Sequence, residues 1–262
     1  MSNKSLFRWF AIALAGLSVS AVPALADFMT GFEPPTYSLG ALNGQNGWSV
    51  FGPGVVTVEG FNVFAGTQAV FVDGGSSAVS QSGPYHVDTA GSVVSLSAEI
   101  YLASSSVETG WQFAATGPDL TGFAGGIDIY PTADPLDSSV VLITGNVSGS
   151  AGTFVRNQWN LVDLLLNYNT QTYDVFIDGS EIGTDLAFCG NNSPPCNGAT
   201  VSAYADGLFD TFGATPGSDD SGYMDNYAVA TTPEPESLIL LASVLVLLLA
   251  ARRILGARAA AE

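Results

Sequence analysis

The chain has 262 residues and a formal net charge of −18, with 24 acidic residues against six basic ones. Lys4, Arg8, Arg252, Arg253 and Arg258 lie near the two ends, so residues 27–232 set 21 Asp and Glu against Arg156 alone. Such a surface repels phosphate backbones, whose binding rests on Lys and Arg displacing counterions, and this excludes nucleic-acid partners.

At the N-terminus, Lys4 and Arg8 precede an apolar stretch from Trp9 to Val19, and Ala24-Leu25-Ala26 supplies the small residues of a cleavage site. This layout predicts a signal peptide over residues 1–26, cleaved before Asp27. The apolar run is short for a retained anchor helix. The expected destination is outside the cytoplasm, at the cell envelope or the extracellular surface.

Residues 27–232 read as β throughout. Gly, Ser, Thr and Asn punctuate short runs of Val, Ile, Phe and Tyr, and no window keeps a 3.6-residue period with helix caps. Strands are expected near 48–51, 55–58, 61–65, 69–72, 76–81, 93–102, 111–116, 125–130, 139–144, 158–168, 172–178, 180–184, 200–204, 208–213 and 222–230. That many short strands with no linker predicts one all-β two-sheet sandwich over residues 27–232. In Val93–Leu102, Val94, Leu96, Ala98, Ile100 and Leu102 take one face, and Val93, Ser95, Ser97, Glu99 and Tyr101 the other. Trp159 to Tyr168 is apolar on both alternating sets, which predicts a central strand covered on both faces. Asp178-Gly179 is a two-residue hairpin signal.

Cys189 and Cys196 bracket a short loop. In an exported chain they read as one disulfide, since two thiols without neighbouring histidines do not complete a zinc site.

Pro233-Glu234-Pro235 ends the domain, and an apolar run from Leu238 to Ala251 precedes Arg252 and Arg253. A transmembrane helix is expected over about residues 237–255, with the basic cluster on the cytoplasmic side. This tail resembles the PEP-CTERM sorting signal: a Pro-Glu-Pro motif, a short membrane run and terminal arginines. The resemblance implies processing by an exosortase-type enzyme, at least transient residence in the inner membrane, and an association with extracellular polysaccharide. The stretch from Ile254 to Glu262 is longer than that pattern. An ordinary C-terminal anchor with a proline-rich stem is the alternative.

A second resemblance is carried by the Trp159 strand, the Tyr173-x-Val175-x-Ile177-Asp178-Gly179 hairpin, and Gly222-Tyr223-Met224-Asp225-Asn226-Tyr227. Gly31-Phe32-Glu33 and Leu42-Asn43-Gly44-Gln45-Asn46-Gly47-Trp48 add to it. These resemble concanavalin A-like and laminin-G-like jelly rolls, which implies a two-sheet jelly-roll sandwich with first and last strands side by side. It also implies that Glu33 and Asp225 can jointly hold a structural calcium, with Asn226, Asp27 or backbone carbonyls completing six to eight oxygens. The alternative is that both are solvated strand-end carboxylates.

Tyr101, Trp111 and Tyr130 are candidates for a sugar-stacking platform, with Glu99 and Asp128 accepting hydroxyl bonds. Trp111 shares a face with Phe113 and Ala115, which places it in the core instead, and scattered surface aromatics are the plainer reading of the others. Glu99 and Asp128 as a glycosidase pair have no supporting motif, because the Glu-x-Asp-x-x-Glu string of laminarinase-type jelly rolls is missing. His86 is the single histidine, and no Gly-x-Ser-x-Gly elbow occurs. The sequence therefore points to a non-catalytic, exported β-sandwich that binds or organises extracellular polysaccharide. A glycoside hydrolase or lyase on the same fold, and a purely structural matrix or adhesion protein, remain the alternatives.

Overall fold

The computed structural model describes residues 28–52, 54–73, 78–81, 87–88, 93–104, 110–116, 123–131, 138–143, 151–188, 204–212 and 221–232. The expected signal peptide, the sorting tail with Pro233, Glu234, Pro235, Arg252 and Arg253, the Cys189–Cys196 pair, His86 and Asp27 lie outside these residues.

The chain opens with β1 (Phe28–Thr30), β2 (Gly40–Ala41), β3 (Trp48–Phe51), β4 (Val56–Glu59), β5 (Ala69–Asp73) and β6 (Ala78–Gln81). There follow β7 (Val87–Asp88), β8 (Val93–Leu102), β9 (Gly110–Thr116), β10 (Phe123–Pro131), β11 (Ser138–Ile143) and β12 (Gly152–Val155). The last five are β13 (Trp159–Asn167), β14 (Thr172–Ile177), β15 (Ser180–Ala187), β16 (Tyr204–Phe212) and β17 (Ser221–Thr232).

These strands form two antiparallel sheets. One has nine strands in the order β15-β14-β13-β8-β17-β5-β4-β2, with β1 also on β17. The other has eight, in the order β12-β11-β10-β9-β16-β6-β3, with β7 on β16. The architecture is an all-β sandwich whose first and last strands pair, Phe28 opposite Val229 and Thr30 opposite Tyr227.

Alternation decides which face of each strand is buried. In β8, Val94, Leu96, Ala98, Ile100 and Leu102 are fully buried, while Val93, Ser95, Ser97, Glu99 and Tyr101 sit half-buried on the outer face. β13 and β14 repeat the pattern with Val162, Leu164 and Leu166, and with Tyr173, Val175 and Ile177. The partner sheet contributes Trp111, Phe113, Ile127, Ile129 and Phe209 to the same core. Each such side chain stabilises the fold by roughly 1.5–3 kcal/mol through burial. Close approach sets two glycines. A Cβ on Gly222 would meet the Trp111 ring, and one on Gly125 the ring of Tyr173.

One bulge controls the parity of β17. Asp225 lies opposite Glu99 and Ala228 opposite Ser97, so Asn226 and Tyr227 together occupy the space of one residue. Asn226 absorbs the irregularity at φ 45°. The extra residue lets Tyr223 and Asp225 share the outer face while Tyr227 and Val229 turn into the core. The Asp178-Gly179 turn forms as expected, with both residues at positive φ (50° and 74°) and Ile177 opposite Ser180.

Two expectations are corrected. Residues 61–65 form no strand. They belong to the loop joining β4 to β5, in which Asn62 and Gly66 take φ 46° and 78°. β13 is covered on one face only, since Trp159, Leu161, Asp163 and Leu165 look outward and Leu161 is 38% exposed. Its second apolar set belongs to an outer surface, not to a second core.

Candidate functional site

The outer face of the nine-stranded sheet carries a line of aromatic residues placed by strand register. Trp159 of β13 stands opposite Tyr101 of β8, Tyr101 opposite Tyr223 of β17, and Tyr223 opposite Phe71 of β5. Ring centroids along this line are 5.7, 5.9 and 5.3 Å apart. Three inter-strand steps make the line about 14 Å long. Adjacent rings are inclined by 54°, 81° and 59°, so the row is a corrugated ridge. Phe64, from the β4–β5 loop, adds a fifth ring 5.8 Å from Trp159 and is 46% exposed.

Carboxylates flank this ridge. Glu99 lies two residues before Tyr101 and directly opposite both Leu161 and Asp225. Burial, then the charges of Asp178 and Asp225, push its carboxyl above the usual range. Like charges directly opposite each other on a sheet are unfavourable. Asp225 is itself fully buried. Burial and the Glu33 charge raise it, against the bonds it accepts from Ala65, Asn226 and Phe64. Asp163, further along the same face, is also raised by burial, and it accepts a 2.8 Å bond from the Ser95 hydroxyl.

The two carboxylates expected to hold calcium grip the β4–β5 loop. The Phe64 and Ala65 amides both donate to Asp225 Oδ2 at 3.1 Å, and the Asn226 amide donates to Oδ1 at 2.7 Å. The Thr67 and Gln68 amides donate to Glu33 Oε1 at 2.7 and 2.9 Å, and the Thr67 hydroxyl donates to Oε2 at 2.6 Å. Burial acts to raise Glu33, but the bonds from Thr67 and Gln68 outweigh it and hold the carboxyl below the usual range. Two consecutive amides on one oxygen is the arrangement in which a turn binds an anion, here supplied by the chain itself. Gly66 fits at this point because a Cβ there would collide with the Glu33 carboxylate.

Calcium requires six to eight oxygens. Here two of the four carboxylate oxygens each take two N–H donors, and the described residues bring no third carboxylate to the pair. Asn226 Oδ1 and Asp225 Oδ1 both lie beside Gly31, next to this pair.

The four expected ligand residues divide between the sheets. Glu99 and Tyr101 belong to the ridge. Asp128 and Tyr130 lie on β10, in the other sheet, and also face outward, because Ile127 and Ile129 point into the core. Asp128 accepts a 2.6 Å bond from Gln112 Nε2, and Tyr130 is 39% exposed. Burial and the Asp128 charge raise the Tyr130 phenol. Two sheets pack about 10 Å apart, so carboxylates on opposite outer faces do not meet across one bond. Trp111 is fully buried and stacks on Phe209 at 5.1 Å. Sequence reading missed Trp159, Tyr223, Phe71 and Phe64 as site residues. Only Trp159 carries a sequence signal, the second apolar set of β13, and a doubly covered strand shares it.

A cleft of about 630 Å³ is lined by Met29, Thr30, Glu33, Thr36, Tyr37 and Asn46 among others. Arg156, the sole cation among the described residues, is buried and donates to the Ala103 carbonyl at 2.9 Å.

No family model matches the chain, and no curated protein matches it. Solved structures do. A carbohydrate esterase from the Shiga toxin-encoding bacteriophage phi24B aligns at TM-score 0.56 and 16% identity, covering 80% of this chain and all of its own. A cellulose-induced protein aligns at TM-score 0.51 and 14% identity over 78% of this chain and 97% of that one. An endo-1,3-beta-glucanase from Streptomyces sioyaensis aligns at 0.51 and 9% identity over 80% and 97%. These neighbours are concanavalin-like jelly-roll domains, and the likeness is one of fold.

Proposed function

We propose that the protein is an exported, envelope-sorted and non-catalytic β-sandwich that binds extracellular polysaccharide on the outer face of its nine-stranded sheet. The observation that carries this is the in-register ridge of Trp159, Tyr101, Tyr223 and Phe71 beside Glu99. Aromatic surfaces receive the apolar faces of sugar rings, and a carboxylate accepts bonds from their hydroxyls. Half-buried aromatics of four strands lined up on an outer face form a patch of the kind that marks a binding surface. The inclined rings suit a single soluble glycan chain, whose residues turn relative to one another, better than a flat crystalline surface.

Charge narrows the ligand. The described surface offers no exposed Lys or Arg to pair with uronate or sulfate groups, so a neutral glycan is preferred. Two fold neighbours are named for carbohydrate chemistry, the esterase and the glucanase, which agrees with this ligand class. The signal peptide and the PEP-CTERM-like tail support delivery by export and an exosortase-type step.

The test is a glycan panel probed with the full-length chain, with calcium and with chelator. Retention of neutral chains over uronic or sulfated ones is expected, and retention of none removes the reading. A second reading rests on Glu99. Its raised carboxyl beside the ridge is what a general acid needs, which favours a glycoside hydrolase or lyase. Release of new chain ends by the wild type, lost in Glu99→Gln, would establish it.

A further inference from the structure

We infer that Asp225 is a positioning residue for the glycan site: it fixes the β4–β5 loop so that the Phe64 ring packs against Trp159 of the ridge. The inference rests on the binding reading above for its purpose, but the clamp stands on geometry alone.

The loop from Gly60 to Gln68 crosses from β4 to β5 without regular structure. Its position is set from outside, at two points. Glu33 holds its C-terminal end through the amides of Thr67 and Gln68 and the Thr67 hydroxyl. Asp225 holds its middle through the consecutive amides of Phe64 and Ala65. The residue whose amide is held is the one whose ring meets Trp159.

The source of this hold explains an otherwise unfavourable pairing. Asp225 faces Glu99 directly across the β17–β8 ladder, so two carboxylates stand where one would be cheaper. Asp225 accepts three N–H bonds, whereas Glu99 has no hydrogen-bond donor among the described residues. The two acids therefore have different tasks. Asp225 is spent on the chain, and Glu99 is left for a ligand. The β17 bulge brings Asp225 to the outer face, and Gly66 gives the loop the turn that both carboxylates need. Phe61, at 73% exposure, lies on the same held loop. A fifth ring adds aromatic surface to the four that the strands present.

Amide hydrogen exchange on the full-length chain tests the clamp without a ligand. The Phe64 and Ala65 amides have Asp225 as their acceptor, so they are expected to exchange slowly in the wild type and at least about tenfold faster in Asp225→Asn. Exchange at the unprotected rate in the wild type overturns the clamp, whether or not the variant folds. Binding then tests its purpose. Asp225→Asn and Phe64→Ala are each expected to weaken retention of a neutral glycan about fivefold, with the double variant no worse than Phe64→Ala. Multiplied effects, about 25-fold in the double variant, overturn positioning. Absence of any glycan binding with protected amides would sink the site and leave the clamp. A stability gain on adding calcium that also releases these amides would return Glu33 and Asp225 to a metal role.

Discussion

The two outer faces of the sandwich carry nearly the same tripeptide, Glu99-Ile100-Tyr101 on one and Asp128-Ile129-Tyr130 on the other. In both, the isoleucine is buried and the acid and tyrosine look outward. Their neighbours separate them. Tyr101 has Trp159 and Tyr223 opposite it on two sides, and the ridge continues to Phe71 and Phe64. Tyr130 has Val140 opposite it on β11, and Asp128 already accepts a bond from Gln112. Among the described residues Glu99 meets no such donor, and Asp178 and Asp225 flank it. A local motif becomes a site only when register brings the right residues beside it.

Mutation should separate the two faces. The largest effect is expected for Trp159→Ala combined with Tyr101→Ala, which removes the centre of the ridge and should lower glycan affinity at least about 50-fold, as loss of central anchors does. Equilibrium binding to the best glycan of the panel measures it. Next comes Gly222→Ala, whose added methyl meets the Trp111 ring beneath the ridge. It should cost about 1–3 kcal/mol in denaturant unfolding by overpacking the core.

The pH dependence is smaller and its sign is set. Glu99, Asp163 and Asp225 are all raised by burial first, so the folded state takes up protons more readily than the unfolded one. Stability from these groups is full below the ordinary carboxylate range and is lost as pH rises through their raised values. Glu33 runs the other way, since its lowered value gives stability above the ordinary range that disappears on strong acidification. Melting temperature should therefore climb from neutral pH into the ordinary carboxylate range, about pH 4, and turn over below it. A monotonic fall from pH 7 would contradict the assignment. Glu99→Gln should flatten that climb and relieve the repulsion with Asp225, stabilising the chain by roughly 0.2–1 kcal/mol. It should do so while weakening glycan binding. The smallest effect belongs to the other face, where Tyr130→Ala should change affinity by less than about twofold, within the range of ordinary surface substitutions.

Much of the fold is legible in the sequence. The alternation of Val93–Leu102 fixes the core face of β8, and Asp178-Gly179 fixes a hairpin, because both signals are local. The pairing of β1 with β17 followed from the jelly-roll resemblance. The ridge was not readable, since Phe71, Tyr101, Trp159 and Tyr223 come from four strands distant in sequence. Only the sheet order aligns them. The sequence of residues 61–65 has strand-forming composition, yet Asp225, far along the chain, holds it as a loop. The apolar outer set of Trp159, Leu161 and Leu165 looked like a second buried face. A buried strand and a ligand-binding strand share this composition, and neither periodicity nor propensity separates them.

Titration of one neutral oligosaccharide series against the wild type, Tyr101→Ala and Tyr130→Ala is the most direct measurement. Affinity should rise with chain length in the wild type, collapse in Tyr101→Ala and persist in Tyr130→Ala. Equal losses in both variants, or a loss confined to Tyr130→Ala, would place the ligand elsewhere and contradict the assignment of the nine-stranded sheet.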